Sequence, residues 1–320
     1  MGLPGRPRDV VAGSDATAIV GACRFATPGG SVRWLDSGKA QVNGGRTGAG
    51  AVSSSSSGHQ LVFVGGLHRS GTTLVADLLS RHPDGSGLTA TGVEEDEGQH
   101  LQDVYPVARS YGGTGRFARD PFAHLTERSP LATPANARRI LAAWEPFWDL
   151  DKHYLVEKSP PNLIMGRYLQ ALYPDAAFVF VARHPVVVSL ATRKWRPRTP
   201  FARLLEHWFL AHDTARSDLA HLRRVHVLKY EDLVSRPDAT LSDLAGFLGM
   251  SSPLDAASVD VTRSTRYATT WQQERSSADR RVRARAERCI DRFGERTREY
   301  GYDIVDLDVV RPFPRGPAAP

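Results

Sequence analysis

The sequence LVFVGGLHRSGTTLVADLL, residues 61–79, joins an apolar run to a glycine-bounded loop and then to a helical pattern. The run at 61–64 is typical of a buried strand, because consecutive apolar residues suit a strand that is covered on both faces. Leu74 and Leu78 then recur at helical spacing as far as Arg81. The stretch therefore predicts a strand, a loop and a helix in immediate succession.

The same succession recurs further along the chain. Apolar runs at 154–156, 177–182 and 225–228 each precede a helical pattern, so further strands are predicted there. This alternation predicts an α/β fold, namely a P-loop-like three-layer sandwich with a mainly parallel central sheet flanked by helices. Helices are predicted at 161–172, from 186 onward, at 201–223, at 240–248 and, strongly charged, at 280–298.

Composition limits the class of protein. With 320 residues and 41% hydrophobic content the chain can bury a sizeable core, and its net charge of +6 favours an anionic partner. No nucleic-acid-binding motif is recognisable, so no nucleic-acid partner is expected. The two cysteines, Cys23 and Cys289, have neither disulfide-framework nor metal-ligand spacing, and no apolar run reaches the roughly 18 residues of a membrane span. We expect a cytoplasmic protein without a bound metal, and the oligomeric state stays open.

The loop at 66–71 has the GxxxxG spacing of a phosphate-cradling turn, and Gly66 supplies the tight turn itself. Such a turn presents backbone N–H groups and a helix N-terminus to an anion. Thr72 stands where a kinase or NTPase loop has the lysine that binds the β- and γ-phosphates, so Arg69 is the available substitute. The structural alternative is a glycine-rich turn that binds no ligand.

The residues RSGTT at 69–73, after an apolar strand, resemble the 5′-phosphosulfate loop of the sulfotransferases that use 3′-phosphoadenosine 5′-phosphosulfate (PAPS). The resemblance implies PAPS as co-substrate and no metal. It also implies that the basic residue of the loop and its backbone amides hold the 5′-phosphate. These roles fall on Arg69, Ser70, Gly71, Thr72 and Thr73.

Two later segments extend the resemblance. FVFVARHP at 178–185 is similar to the element that clamps the 3′-phosphate, which implies that role for Arg183 and for a nearby hydroxyl. The family's serine stands eight residues after the arginine, where this chain has alanine, so Ser189 is preferred and Thr192 is the alternative. VLKYEDL at 227–233 resembles the strand that ends near the adenine, which implies Tyr230 there, although an ordinary sheet-edge aromatic fits too. Tyr267 and Trp271, four residues apart, are interpreted as a packing pair outside the site.

Sulfuryl transfer needs a base for the acceptor hydroxyl and positive charge on the leaving oxygen. The acidic run EEDEGQH at 94–100 lies where the tyrosylprotein branch carries its catalytic glutamate, which implies Glu97 as the base, with Glu95 and then His100 as the next choices. EKSP at 157–160 is similar to a carbohydrate-sulfotransferase segment and implies a charge-stabilising role for Lys158. A solvated acidic run and a strand-end lysine are the structural alternatives.

The resemblance implies a sulfotransferase that moves a sulfuryl group from PAPS to a hydroxyl of a glycan, a small molecule or a peptide tyrosine. A P-loop kinase or NTPase and a PAPS-binding protein without activity are the competing hypotheses. Residues 101–150, with Trp144, Phe147 and Trp148, are predicted to build the acceptor pocket.

The chain is predicted to divide into three parts. Residues 1–58 are low in complexity and rich in glycine and serine, which predicts a disordered tail, with a wrongly assigned start codon as the alternative. Residues 59–305 form the predicted sulfotransferase domain, and 306–320 a C-terminal tail.

Overall fold

The structure is a computed structural model that describes residues 58–260, 265–314 and 316. The predicted tail at 1–58 lies outside the described residues, apart from Gly58.

Within the described residues five strands form one sheet, and every neighbouring pair is parallel. The strand order is β2-β3-β1-β4-β5, which puts the strand preceding the glycine-rich loop in the centre. The strands are β1 (Gln60–Gly66), β2 (Gly85–Gly87), β3 (Tyr154–Lys158), β4 (Ala177–Ala182) and β5 (Val225–Lys229). The predicted parallel sheet is confirmed. Strand β2 was not predicted, because its sequence GSG carries no apolar signal.

Helices cover both faces of the sheet. Alternate residues of β1 point to opposite sides: Phe63 packs in an aromatic cluster with Trp144 and Tyr173, whereas Val62 and Val64 pack in an aliphatic cluster on the other face. Both faces of the central strands are buried, so the three-layer sandwich is confirmed. The helices are α1 (Thr72–Ser80), α2 (Pro134–Trp144), α3 (Gly166–Leu172), α4 (Pro185–Arg193), α5 (Phe201–Asp218), α6 (Tyr230–Ser235), α7 (Pro237–Leu248), α8 (Thr265–Arg275) and α9 (Arg280–Glu299).

Local sequence explains several helix boundaries. The Thr133 hydroxyl accepts a hydrogen bond from the Asn136 amide at the start of α2, and α7 ends at Gly249, whose φ of 81° only glycine adopts freely. The prediction of one helix over 201–223 is wrong in its end, since α5 stops at Asp218 and a 3₁₀ turn leads the chain toward β5. Charged α9 buries only a narrow stripe, as predicted.

The C-terminal segment turns back onto the fold. Tyr302 and Val310 form an antiparallel bridge, and the Phe313 ring packs 5.5 Å from that of Tyr300. Among the described helices, none is both long and apolar enough to cross a membrane.

Candidate active site

The glycine-rich loop lies at the carboxyl end of the central strand, the edge where open parallel sheets bind ligands. β1 ends at Gly66, and α1 begins at Thr72. A Cβ on Gly66 would come within 2.6 Å of the Val181 carbonyl oxygen of β4, so the close approach of loop and strand requires glycine here.

The loop conformation presents donors at the start of α1. Arg69 and Gly71 have φ values of 72° and 100°, and no side chain caps the helix N-terminus. The first-turn N–H groups therefore have no intrahelical partner. Ser70 is fully buried, and its Oγ has no hydrogen-bond partner in the described structure. Uncapped amides and an unsatisfied buried hydroxyl in one turn suit a bound anion.

A basic cavity of about 580 Å³ opens beside this loop. The guanidinium of Arg183 lies 3.9 Å above the Tyr230 ring and donates a hydrogen bond of 2.9 Å to the Arg69 carbonyl. The cavity thus holds six of the eight residues predicted to bind the cofactor, with Ser70 buried just behind its wall. It is lined by Arg69, Gly71, Thr72, Thr73, Leu74, Arg183, Tyr230, Arg266 and Tyr267.

Neither hydroxyl predicted for the 3′-phosphate lines this cavity. Ser189 and Thr192 are buried in α4, and the Ser189 Oγ has no hydrogen-bond partner in the described structure. Arg266 and Tyr267 of α8 reach the wall instead. Tyr267 and Trp271 both belong to the core, as interpreted from the sequence, and the Trp271 indole donates to the Ile304 carbonyl. Tyr267 also lines the cavity, so its exclusion from the site was wrong. Sequence reasoning missed Arg266, because an arginine on a polar helix carries no distinguishing signal.

A second cavity of about 250 Å³ meets the basic one at Arg69, Thr72 and Thr73. We call it the acidic cavity because the glutamates of the acidic run line it, although three arginines do so as well. All three candidates for the base lie on its wall, so the structure brings the acidic run to the loop as predicted by position along the chain. Its other lining residues are His68, Glu94, Glu95, Glu97, Gln99, His100, Ala108, Arg109, Gly113, Thr114, Pro160, Trp195 and Arg196.

Glu97 is the buried member of the acidic run. Its Oε1 lies 3.1 Å from Lys158 Nζ, and its Oε2 accepts a hydrogen bond of 2.5 Å from the Gln99 amide. Burial raises the pKa of the Glu97 carboxyl, and the Lys158 ammonium opposes that rise. His100 Nε2 is 3.8 Å from the same carboxylate, whereas Glu95 is exposed and offers Lys158 its backbone oxygen at 3.0 Å.

His68, a residue of the loop itself, lines the acidic cavity. Burial, assisted by Lys158, lowers its pKa to about 4, so its imidazole is neutral near pH 7. The Nδ1 atom is buried without a hydrogen-bond partner in the described part of the chain. Among the described residues, no three His, Cys, Asp or Glu side chains are grouped to hold a metal ion.

The predicted acceptor pocket is only partly in place. Trp144 and Trp148 belong to the core, where their indoles donate to the carbonyls of Gly98 and Val156. Large aromatic side chains in a polar segment can either line a pocket or fill a core, and the sequence does not distinguish the two. Here the two tryptophans pack in the core cluster that covers one face of the sheet. The residues from 101–150 that line the acidic cavity are Ala108, Arg109, Gly113 and Thr114. Trp195 and Arg196, after α4, were missed; Trp195 stacks 4.9 Å from the Arg69 guanidinium.

The geometry indicates a class of protein before any comparison. A parallel sheet presents a loop with uncapped amides between a basic cavity and a cavity lined by Glu97, and Lys158, which lines neither cavity, pairs with Glu97. This arrangement suits the transfer of an anionic group. Residues 61–254 match the model of the sulfotransferase family, and the chain belongs to that family.

Known relatives are distant. Over 207 residues the chain is 26% identical to protein-tyrosine sulfotransferase 2 of Gallus gallus, covering 60% of this chain and 51% of the relative. It is 26% identical over 222 residues to the nodulation protein NoeE of Sinorhizobium fredii, covering 59% and 50%. A solved sulfotransferase of Mycobacterium tuberculosis aligns with a TM-score of 0.43 at 19% identity, covering 60% of this chain and 68% of that one. The chain thus spans about half the length of the curated relatives it matches.

Proposed function

We propose that this protein transfers a sulfuryl group from PAPS to a hydroxyl group of an acceptor molecule. The observation that carries the proposal is the meeting of the basic and acidic cavities at Arg69, Thr72 and Thr73. A donor bound in the first cavity would present its transferable group to a nucleophile in the second, which is the positioning that in-line transfer requires.

The residues of the basic cavity fit a phosphosulfate nucleotide. The uncapped first turn of α1, the unsatisfied Ser70 hydroxyl and Arg69 would hold the 5′-phosphate. The Gly71 backbone lies so close to the Tyr230 ring that no side chain fits, since a Cβ would lie 2.3 Å from Cδ2. Since Ser189 and Thr192 stay behind the wall, we assign the 3′-phosphate to Arg183 together with Arg266. Tyr230 and Tyr267 would cover the adenine.

In the acidic cavity we assign the base to Glu97. Its carboxyl has a raised pKa, which makes the carboxylate a better proton acceptor near neutral pH than an exposed glutamate. Lys158 is in contact with it and would stabilise charge on the leaving phosphate oxygen. PAPS supplies an activated sulfuryl group, and the chain's own residues bind it, orient it and accept the hydroxyl proton.

The remaining predictions stand as part of this proposal. The acceptor is a hydroxyl-bearing glycan, small molecule or peptide tyrosine, and residues 59–305 carry the activity as one domain in the cytoplasm. A kinase or NTPase reading is disfavoured by Thr72 in the lysine position.

The test is an acceptor screen with ³⁵S-labelled PAPS and excess EDTA, using extracts of the native organism. Transfer of label to an extract component, absent with Glu97→Gln protein, supports the proposal. Mg²⁺-dependent ATP turnover without any sulfuryl transfer would establish the kinase alternative. PAPS binding without transfer to any acceptor would support the alternative of a PAPS-binding protein without activity.

A further inference from the structure

Glu157 is a buried carboxylate at the end of β3 that the proposed transfer step does not use. It is 1% exposed and immediately precedes Lys158. Its Oε1 accepts hydrogen bonds from the Gly98 backbone N–H at 3.0 Å and from the Ser159 hydroxyl at 2.6 Å, and its Oε2 accepts one from the Asn162 amide at 2.5 Å. A charge buried to this degree is costly unless it is fully hydrogen-bonded, and here both oxygens are engaged.

Through these bonds Glu157 holds the peptide that follows Glu97. The Gly98 carbonyl accepts from the Trp144 indole at 2.9 Å while its N–H is held by Glu157, so the Gly98 backbone is fixed from both sides. No side chain fits there, because a Cβ would lie 2.6 Å from Glu157 Cγ and 2.8 Å from Trp144 Nε1.

The next residue is tied to the same anchor. The Gln99 N–H donates to Ser159 Oγ at 3.1 Å, and the Gln99 side chain donates to Glu97 Oε2. The direction of the Glu97 carboxylate is therefore set by a frame whose central acceptor is Glu157.

The two carboxylates also interact by charge. Burial is the main cause that raises the pKa of Glu157 to about 7; hydrogen bonds from Ser159 and Asn162 oppose it, and the Glu97 charge adds to it. Burial, Lys158, Gln99 and His100 are the causes that shift the pKa of Glu97, so the influence within the pair runs from the Glu97 charge to the Glu157 carboxyl. The other titratable groups around the pair are Lys158 from β3, His100 on the Glu97 segment, and the buried phenols Tyr105 and Tyr173 on the Glu157 side.

We propose that Glu157 is a positioning residue that sets the direction of the Glu97 carboxylate through the Gly98 peptide. The proposal rests on the proposed function only in taking Glu97 as the base; the geometric claim stands without it.

The first test is a ¹³C NMR titration of protein labelled at the glutamate carboxyl carbon, with the Glu157 signal assigned by its absence in Glu157→Gln. In Glu97→Gln the pKa of Glu157 should fall, because a charge that raises it has been removed. Glu287→Gln, an exposed change on α9, should leave the Glu157 titration where it is. An unchanged Glu157 titration in Glu97→Gln would show that the two carboxyls are not held beside each other and overturns the proposal.

A second measurement tests whether Glu157 holds the Gly98 peptide in place. Hydrogen exchange at the Gly98 amide should be faster in Glu157→Ala and near wild type in Glu157→Gln, since only alanine removes the acceptor. Equal protection in wild type and Glu157→Ala overturns the proposal. If Glu157→Ala does not fold, Glu157→Asp serves, because its shorter side chain withdraws the acceptor while keeping the charge.

Activity adds a distinction that a purely structural role would not give. With the acceptor from the ³⁵S screen, Glu157→Asp should lower kcat while the affinity for 3′,5′-adenosine bisphosphate stays near wild type, and Glu157→Gln, which keeps an oxygen for the Gly98 N–H, should restore most of the rate. A loss of nucleotide affinity in step with kcat, or no recovery in Glu157→Gln, counts against the proposal. Both NMR readouts need no PAPS, so a wild-type protein that transfers nothing would sink the proposed function and leave this test intact.

Discussion

Lys158 Nζ lies 3.1 Å from Glu97 Oε1, and each side chain is 7% exposed. The cation that we assign to the leaving oxygen is thus in contact with the proposed base. Such a buried pair keeps Glu97 ionised against the cost of burial, and removing one partner leaves the other charge uncompensated. The roles of Glu97 and Lys158 therefore have to be tested with substitutions that remove the charge of the side chain and keep its size.

Glu97→Gln should lower turnover by about 10²- to 10⁴-fold while binding of the desulfated nucleotide survives, because general-base catalysis typically contributes that factor. Turnover and nucleotide affinity are measured together for Glu97→Gln, Glu95→Gln and His100→Ala. Near-normal turnover in Glu97→Gln with collapse in either of the others would move the base to that residue.

Lys158→Met should affect both the pH profile and the stability. Since the ammonium lowers the pKa of Glu97, its loss should raise that pKa and move the acid limb of kcat/KM to higher pH. The free energy of unfolding should fall by about 3 kcal/mol or more, the cost of breaking a buried pair. Lys152→Met, whose ammonium lies at the surface, is the matched control. An unchanged acid limb in Lys158→Met would contradict the coupling.

Arg69→Ala and Arg183→Ala should each weaken nucleotide binding by about 1.5–3 kcal/mol, the range for a hydrogen bond to a charged group. The measurement is calorimetry with 3′,5′-adenosine bisphosphate in EDTA. Arg266→Ala tests the residue that the structure adds to the cavity, and Arg139→Ala, in an exposed pair with Asp103, is the control. Unchanged affinity in both Arg69→Ala and Arg183→Ala would show that the nucleotide binds elsewhere.

The sequence could predict the loop and the strands around it because their signals are local. The apolar runs that became β1 and β4, and the glycines of the loop, carry backbone requirements that can be read from a few neighbouring residues. Contacts across the chain carry no such signal: nothing near Arg266 indicates that α8 closes the basic cavity. Ser189 was expected in the nucleotide site and Trp144 in the acceptor pocket, yet both are buried elsewhere. The reason is related, because burial depends on which side of the sheet a segment covers.

Gly71 allows a test of the loop conformation that does not depend on the proposed transfer reaction. Gly71→Ala forces a side chain into φ 100° and into the Tyr230 ring, so it should lower both stability and nucleotide affinity, the former by about 1–3 kcal/mol. Gly246→Ala in α7 meets no atom within 4 Å and should instead raise the free energy of unfolding by about 0.5–1 kcal/mol. Urea denaturation gives both values, and a Gly71→Ala protein as stable as wild type would contradict the described loop.

Four buried histidines should make the protein sensitive to acid. Burial is the main cause that lowers the pKa of His184 and His207 to about 3, and that of His68 and His212 to about 4. In the unfolded chain each takes up a proton near pH 6.5, whereas in the folded protein it does not. The unfolded state therefore binds more protons below pH 6.5, and the stability present above that pH is lost as the pH falls toward 3 to 4.

Each such histidine should contribute about 1.4 kcal/mol per pH unit to this loss. Glu157 has the opposite effect, because its folded pKa of about 7 lies above that of an unfolded glutamate. Its contribution to the free energy of unfolding is present at low pH and is lost as the pH rises through 7, so it offsets the effect of about one histidine. The net expectation is a fall in the free energy of unfolding between pH 6.5 and 5, measured by urea denaturation. His212→Asn keeps a donor for the Trp208 carbonyl and removes one titrating group, so its slope should be smaller by about 1.4 kcal/mol per pH unit, while exposed His221→Asn should match wild type. Equal slopes for His212→Asn and wild type would show that His212 is not held neutral by the fold.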